Sequence, residues 1–419
     1  MNMRFFLLSV VLILSFGCSS ENKASQQSLI QAIAQEIAQS RPLVEGSSET
    51  ISDYQNIENQ LELKIVEEVP SFDAGLGIES AIAELVHLDK SDVKRFGGDA
   101  AGLSGNALFI ALKKDIPKYA VKVFEAGLGD FNQEFLALIT YKKLHLSEFH
   151  VPDVRAIGSS TMNGKTYLLL AEEYVPGLLL SQKMEALLDN PIESEIRKQI
   201  LEQIISIHAQ LGSALAELHT AGNPISHEMH HLFYEYYLKV AVDGTQAIIE
   251  NNPNDQQLAE ETHIVFQKLL ENRGLRPYGY VHGDARYGNY IYDEKQGELT
   301  VIDFTDGGSS IGKNGHPIGN PMLDVARVVT DFSFWKSWGL TDREETLLKN
   351  AFVSSYQKVN PAIEINGSEY HLFQLVNAYR FFSWFMQRYD SFSPDVKSRL
   401  ELEWNNYLRI IQEIVEHYK

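Results

Sequence analysis

Asp284, Asn289 and Asp303 are the residues of this sequence whose types and spacing can do chemistry together. Asp284 and Asn289 stand five apart in the stretch Val281-His282-Gly283-Asp284-Ala285-Arg286-Tyr287-Gly288-Asn289-Tyr290. Asp303 follows Asn289 by fourteen residues, at the end of the apolar run Val301-Ile302. The flanks Tyr290-Ile291-Tyr292 and Leu299-Thr300-Val301-Ile302 alternate and are β-branched or aromatic, with Lys295-Gln296-Gly297 as a turn between them, so they predict a β-hairpin. A hairpin lets the loop before its first strand and the end of its second strand face one point. An Asn and an Asp converging there suit Mg²⁺, a hard ion that takes oxygen ligands and shares them with substrate phosphates. Asp284 is then left to accept a proton from an attacking hydroxyl.

This pattern resembles the aminoglycoside phosphotransferase and choline kinase family, a branch of the protein-kinase-like fold. Its H-G-D-x-x-x-x-N signature, with a hydrophobic strand ending I-D-F or I-D-W, is matched at His282, Gly283, Asp284, Asn289 and Asp303. The resemblance implies that Asp284 is the catalytic base, that Asn289 and Asp303 hold Mg²⁺, that His282 supports the loop, and that ATP donates the phosphoryl group. The bland alternative is a polar hairpin whose Asp and Asn only cap turns.

The elements that must position these groups follow in order along the chain. Phe96 to Asn106 is a glycine-rich turn between candidate strands, and Gly102 and Gly105 would let backbone N–H groups approach phosphates. Tyr119-Ala120-Val121-Lys122-Val123-Phe124 reads as a strand with a lone Lys at its centre, where a charge is expensive unless paired. Twelve residues later a helical stretch from Phe131 to Leu138 supplies Glu134. Lys122 and Glu134 resemble the kinase pair in which a strand Lys grips nucleotide phosphates and a helix Glu orients it. Tyr167 to Ala171 is a further strand running into Glu172-Glu173-Tyr174-Val175-Pro176-Gly177, where Pro-Gly breaks the chain as a hinge would. In the family the lobes join here and adenine meets the segment, which makes Glu173 a nucleotide-contact candidate. Ile200, Ile204, Ile207, Leu211, Leu215 and Leu218 recur at three and four, predicting a long core helix from Ile196 to His219. Gly319 to Arg327 is similar to the family's D-P-x-x-D-L-A segment, with Asp324 as the residue that braces the catalytic loop. Beyond it the chain reads as helical, with a capping box at Thr341-Asp342-Arg343-Glu344. Trp335, Trp338, Phe381, Phe382, Trp384 and Phe385 make that part aromatic-rich, and such rings are more often core than pocket.

Composition is that of a globular chain, with 419 residues, 44% hydrophobic and 22% charged. The net charge of −20 argues against a general nucleic-acid or anionic-membrane surface and would favour a cationic substrate. Residues 1–18 stand apart, with Arg4 as the only charge and an apolar run from Phe5 to Gly17 ahead of the lone cysteine, Cys18. The run is too short to span a bilayer comfortably and reads as a signal peptide, whose end is similar to a bacterial lipoprotein signal. Export with a lipid anchor is the expectation, and a cytoplasmic protein the alternative. Residues 19–60 form a polar linker, 61–172 a kinase-like N-lobe, and 173–419 a C-lobe. With one cysteine no internal disulfide can form.

Two further motifs compete. His227-Glu228-Met229-His230-His231 fits H-E-x-x-H, and Glu250 follows as a third zinc-ligand candidate in the manner of a metallopeptidase. Gly307 to Asn314 approaches a P-loop but ends in Asn, without the hydroxyl that holds Mg²⁺, and Pro317 interrupts the helix that should follow. The expectation is an α+β, bilobal protein-kinase-like fold, with a small β-sheet N-lobe carrying one helix and a larger, mainly helical C-lobe. The expected function is Mg²⁺-dependent transfer of the ATP γ-phosphoryl group to a hydroxyl or amine of a small molecule. A catalytically silent ligand-binding module is the second reading, a zinc metallopeptidase the third.

Overall fold

The computed structural model describes residues 78–96, 107–125, 130–162, 165–221, 229–271, 279–304, 318–362, 364–365 and 367–419. The leader with Cys18, the polar linker, the glycine turn with Gly102 and Gly105, His227, Glu228 and the 305–317 loop lie outside them.

The N-terminal part is a five-stranded antiparallel sheet in the order β1-β2-β3-β5-β4, formed by β1 (Val93–Arg95), β2 (Ala107–Lys113), β3 (Ile116–Glu125), β4 (Val154–Met162) and β5 (Lys165–Glu173). Its two faces have separate duties because successive strand residues point to opposite sides. Val121, Val123, Leu169 and Ala171 face a small core capped by α1 (Ile78–Leu85). Phe124, Leu168 and Leu170 face α2 (Asp130–Lys143) and join the main core. Lys122 shares that second face, and register sets it opposite Leu170, one same-face position from Glu172. Phe131, Glu134, Phe135, Leu138 and Tyr141 recur at three and four along α2 and are buried, with Phe124 and Phe131 in edge-to-face contact at 5.6 Å.

β4 is the strand that sequence patterning passes over. Gly158, Ser159, Ser160 and Thr161 give it little hydrophobic signal, yet it pairs along β5 from Val154 to Met162. Pairing with a strongly apolar neighbour overrides its weak intrinsic preference.

The hinge leads through Gly177 into β6 (Leu178–Leu179), which pairs with β8 (Tyr290–Asp293) of the expected hairpin; β8 in turn pairs with β9 (Glu298–Val301). Gly177 has φ +130°, and a Cβ there would lie 2.4 Å from the Tyr292 carbonyl oxygen, so no other residue fits where the hinge crosses the hairpin. The two-residue strands β7 (Gly279–Tyr280) and β10 (Ile318–Gly319) pair just ahead of the His282–Asn289 loop.

The remainder is helical: α3 (Leu180–Leu188), α4 (Glu195–Ala221), α5 (Met229–Asn251), α6 (Gln256–Glu271), α7 (Met322–Ser337), α8 (Asp342–Val359), α9 (Ser368–Arg388) and α10 (Pro394–Tyr418). α4 and α8 approach closely at Gly212, where a Cβ would come within 2.3 Å of the Phe352 carbonyl oxygen. Arg197 clamps the same pair of helices with a bidentate contact to Glu344 at 2.8 and 2.9 Å. Glu344 also closes the expected capping box with Thr341. Phe381, Phe382 and Phe385 pack with Trp404 in the core, so the aromatic richness of the C-terminal helices is largely packing. No helix of the described residues is long and apolar enough to cross a membrane.

Candidate active site

The loop from His282 to Asn289 is held from three sides. Asp324, on the first turn of α7 and fully buried, accepts the backbone N–H of His282 at 2.6 Å and of Gly283 at 2.8 Å. It also meets His219 Nε2 at 2.9 Å, at the end of α4, and the other ring nitrogen of His219 meets the Tyr356 hydroxyl at 2.7 Å. Asp324 thus braces the loop as the resemblance implied. On the second side, His282 Nδ1 accepts the Asp284 N–H at 3.1 Å, which leaves Nε2–H to donate to the Ile302 carbonyl at 3.0 Å. Its ring lies 4.8 Å from that of Phe304, and burial lowers its pKa, so it sits as a neutral clasp between loop and strand end. On the third, Tyr287 donates its N–H to Asp331 at 3.1 Å, and its hydroxyl meets His208 Nε2 at 2.5 Å.

His208 yields a pH prediction. Its Nδ1 faces the Ile204 carbonyl at 2.7 Å, so Nε2 is the acceptor for Tyr287. Burial pushes its pKa from 6.5 down to about 4, against the opposing pull of the Ile204 carbonyl. Folded His208 therefore binds fewer protons than unfolded between those values, and its contribution is lost as pH falls from 6.5 through 4. The stability gap between the parent and His208→Gln is expected to narrow over that window, by about 3 kcal/mol at most. Thermal melts near neutrality and near pH 4 measure this, and a gap that ignores pH would contradict it.

Asn289 donates its side-chain N–H to the Asp284 carbonyl at 2.8 Å and to Asp284 Oδ2 at 3.1 Å. Its amide oxygen is then the group it can offer a cation. The Asn289 carbonyl accepts the Ile302 N–H at 2.9 Å, which ties the loop to the end of the hairpin, one residue before Asp303. Asp303 has φ +63°, a left-handed conformation that costs a non-glycine residue energy. It is held there because the next N–H, that of Phe304, donates to Glu134 Oε2 at 3.0 Å.

Glu134 is the hub between the two lobes. Its other oxygen accepts from Lys122 Nζ at 2.6 Å. Lys122 Nζ also lies 3.6 Å from Glu172 and 3.9 Å from Asp303. Burial alone would strip the Lys122 proton, but these three carboxylates outweigh it and hold the ammonium well above the usual lysine range. Burial pushes the Glu134 carboxyl up to about 8, with Lys122 pulling the other way. Three carboxylates around one ammonium leave the cleft short of positive charge. Glu134 and Glu172 are engaged by Lys122, so the oxygens that would be left for a divalent cation are those of Asp303 and the Asn289 amide, with water or phosphate in its remaining positions.

Asp284, 17% exposed, has cations on both sides. Arg286 Nε lies 3.0 Å from Oδ2, Arg327 Nε of α7 lies 3.8 Å from Oδ1, and Arg380 of α9 donates to the Gly283 carbonyl at 3.0 Å. Burial alone would raise the Asp284 carboxyl; the guanidiniums of Arg286, Arg327 and Arg380 outweigh it and hold it near 2. Arg327 is itself tied to the Tyr407 hydroxyl, to Glu403 at 3.4 Å and, more loosely, to Asp331 at 3.7 Å.

Lys122, Glu134, His282, Asp284, Asn289 and Asp303 therefore converge, and Gly102 and Gly105 lie outside the described residues. Glu173, whose segment was expected to meet adenine through its backbone, has its side chain on Arg155 at 2.6 Å and its N–H on the Asp153 carbonyl. Strand alternation puts its neighbour Glu172 on the Lys122 face instead. Arg286, Arg327, Arg380 and His208 carried no assigned role in the sequence. A signal for Arg327 existed, because Asp324, Arg327 and Asp331 share one face of a helix at spacings of three and four. The metallopeptidase constellation fails on geometry. His231 and Glu250 lie on one continuous helix, α5, about 28 Å apart, and cannot share a metal ion. Among the described residues, no group of three or more His, Cys, Asp or Glu could hold a metal ion.

The sequence matches no curated protein. Among solved structures, the fold is similar to that of amicoumacin kinase hAmiN in complex with AMP-PNP, Ca²⁺ and Ami, at 15% identity and TM-score 0.50, covering 81% of this chain and 94% of that one. It is also similar to that of glucosamine kinase in complex with glucosamine, ADP and inorganic phosphate, at 12% identity and TM-score 0.50, covering 81% of this chain and 82% of that one. Residues 99–348, more than half of the sequence and including Lys122, Glu134, the catalytic loop and the Asp324 brace, match the model of the phosphotransferase enzyme family. The chain belongs to that family, and its two-lobed α+β architecture is the protein-kinase-like fold its catalytic loop resembles.

Proposed function

We propose that this protein transfers the γ-phosphoryl group of ATP to a hydroxyl or amine of a small molecule, using Mg²⁺ at Asn289 and Asp303. The observation that carries the reading is the meeting, in one cleft, of a Glu134-held Lys122 with Asp303 at 3.9 Å and of Asp284 with Asn289 at 3.1 Å. The nucleotides bound by the amicoumacin and glucosamine kinases support the choice of donor. Lys122 would meet phosphate oxygens with its ammonium, oriented by Glu134. Asp284 would hold the acceptor hydroxyl or amine in line and take its proton. The new bond forms to the γ-phosphorus while the bond to the bridging oxygen breaks, and ADP leaves with that electron pair. With its carboxyl near 2, Asp284 stays ionised throughout the physiological range, so its proton arrives late, once bond formation has made the acceptor acidic. A bound Mg²⁺ supplies neutralisation of the phosphate charge.

The overall charge of −20 would favour a cationic acceptor. Three guanidiniums around Asp284 set the local field the other way, so the proposal does not extend to a cationic acceptor.

Thermal melting tests the nucleotide cleft. Mg-ATP at ten times its dissociation constant is expected to stabilise the parent by about 1.4 kcal/mol, and Asp303→Ala to abolish the response. A parent that ignores Mg-ATP would sink the reading.

A further inference from the structure

Arg286 faces the part of the site where phosphoryl transfer would occur. Its Nε lies 3.0 Å from Asp284 Oδ2, the same oxygen that receives the Asn289 N–H, whereas Arg327 Nε lies 3.8 Å from Oδ1. The guanidinium is therefore on the Asn289 side of the base, and Asp303 is within its electrostatic reach. Arg286 is 30% exposed, against 12% for Arg327, and so is the more open of the two to an incoming anion. Its Nε is buried yet makes no hydrogen bond, because the contact with Asp284 is one of charge and not of aligned donor and acceptor. A buried donor in that state gains when an oxyanion arrives in line with it.

We propose that Arg286 is a catalytic residue that binds the transferring phosphoryl group, moving from Asp284 onto the γ-phosphate oxygens when Mg-ATP enters the cleft. This rests on the phosphotransferase reading above. The exchange has two consequences. Before nucleotide binds, Arg286 covers the Asp284 carboxylate, so the base is masked. Once a γ-phosphate is present, the guanidinium leaves Oδ2 open to the acceptor's proton and follows the phosphoryl oxygens as the bond to the bridging oxygen breaks. A flat guanidinium with paired N–H donors suits those oxygens better than a point charge would.

The test compares Mg-AMP-PNP with Mg-ADP by titration calorimetry on the full chain. The parent is expected to bind the triphosphate analogue more tightly, and Arg286→Gln to lose about tenfold of that preference while its affinity for Mg-ADP stays unchanged. The double variant Arg286→Gln/Asp284→Asn separates contact from mere neutralisation of Asp284. If Arg286 touches the phosphoryl group, the preference stays lost; if it only masks the Asp284 charge, the preference returns and the proposal is overturned. An Arg286→Gln protein that keeps the parent's preference, or weakens for both nucleotides alike, also overturns it. A parent that binds neither nucleotide refutes the phosphotransferase reading itself.

Discussion

Asp284→Asn is expected to lower phosphoryl transfer by about 10²- to 10⁴-fold, the range a positioned base contributes, while Mg-ATP still raises the melting temperature. The amide keeps the size of the carboxylate and can still accept from Asn289 through its oxygen, so the loop keeps its shape. What it loses is the charge that orients the acceptor and takes its proton. Turnover of ATP, in parent and variant at equal nucleotide saturation, is the measurement. A variant as fast as the parent would show that the group beside Asn289 does not act in transfer. A parent that binds Mg-ATP but turns none over would favour a silent binding module.

Asp324→Ala should cost the most stability of any single change in the site. Its carboxylate is inaccessible to water and accepts from two backbone N–H groups and a histidine ring. Truncation leaves all three without an acceptor in the interior, at about 3–5 kcal/mol in total. For a chain of this size that corresponds to a fall of roughly 5 °C in melting temperature. The His282-Gly283 backbone would then lose its anchor, and transfer should fall even where the protein remains folded. A variant with the parent's melting temperature would mean that other contacts hold the loop.

Much of this architecture was legible in the sequence because it is written at short range. The period of two in Tyr119 to Phe124 and the period of three and four from Ile196 to His219 are imposed by strand and helix geometry, and both elements form where expected. The hairpin after the catalytic loop and the capping box at Thr341 likewise need only a few neighbouring residues. The Lys122–Glu134 pair was visible through its resemblance to the kinase pair, since physics alone says only that a charge inside an apolar strand is costly without a partner.

Tertiary structure alone decided which groups meet across the chain. Whether Glu172 or Glu173 faces Lys122 depends on strand register, and a slip of one residue reverses it. The arginines around Asp284 come from the loop itself, from α7 and from α9, with Arg380 reaching Gly283 from 97 residues away. Glu134 reaches the Phe304 N–H over 170 residues, next to Asp303, and sequence spacing cannot show that contact. The H-E-x-x-H stretch shows the converse, because a continuous α5 carries its third candidate ligand out of reach. Local patterns specify which element a residue joins and which side it faces. The charge around a buried carboxylate is the sum of contacts between distant segments, and only packing brings those segments together.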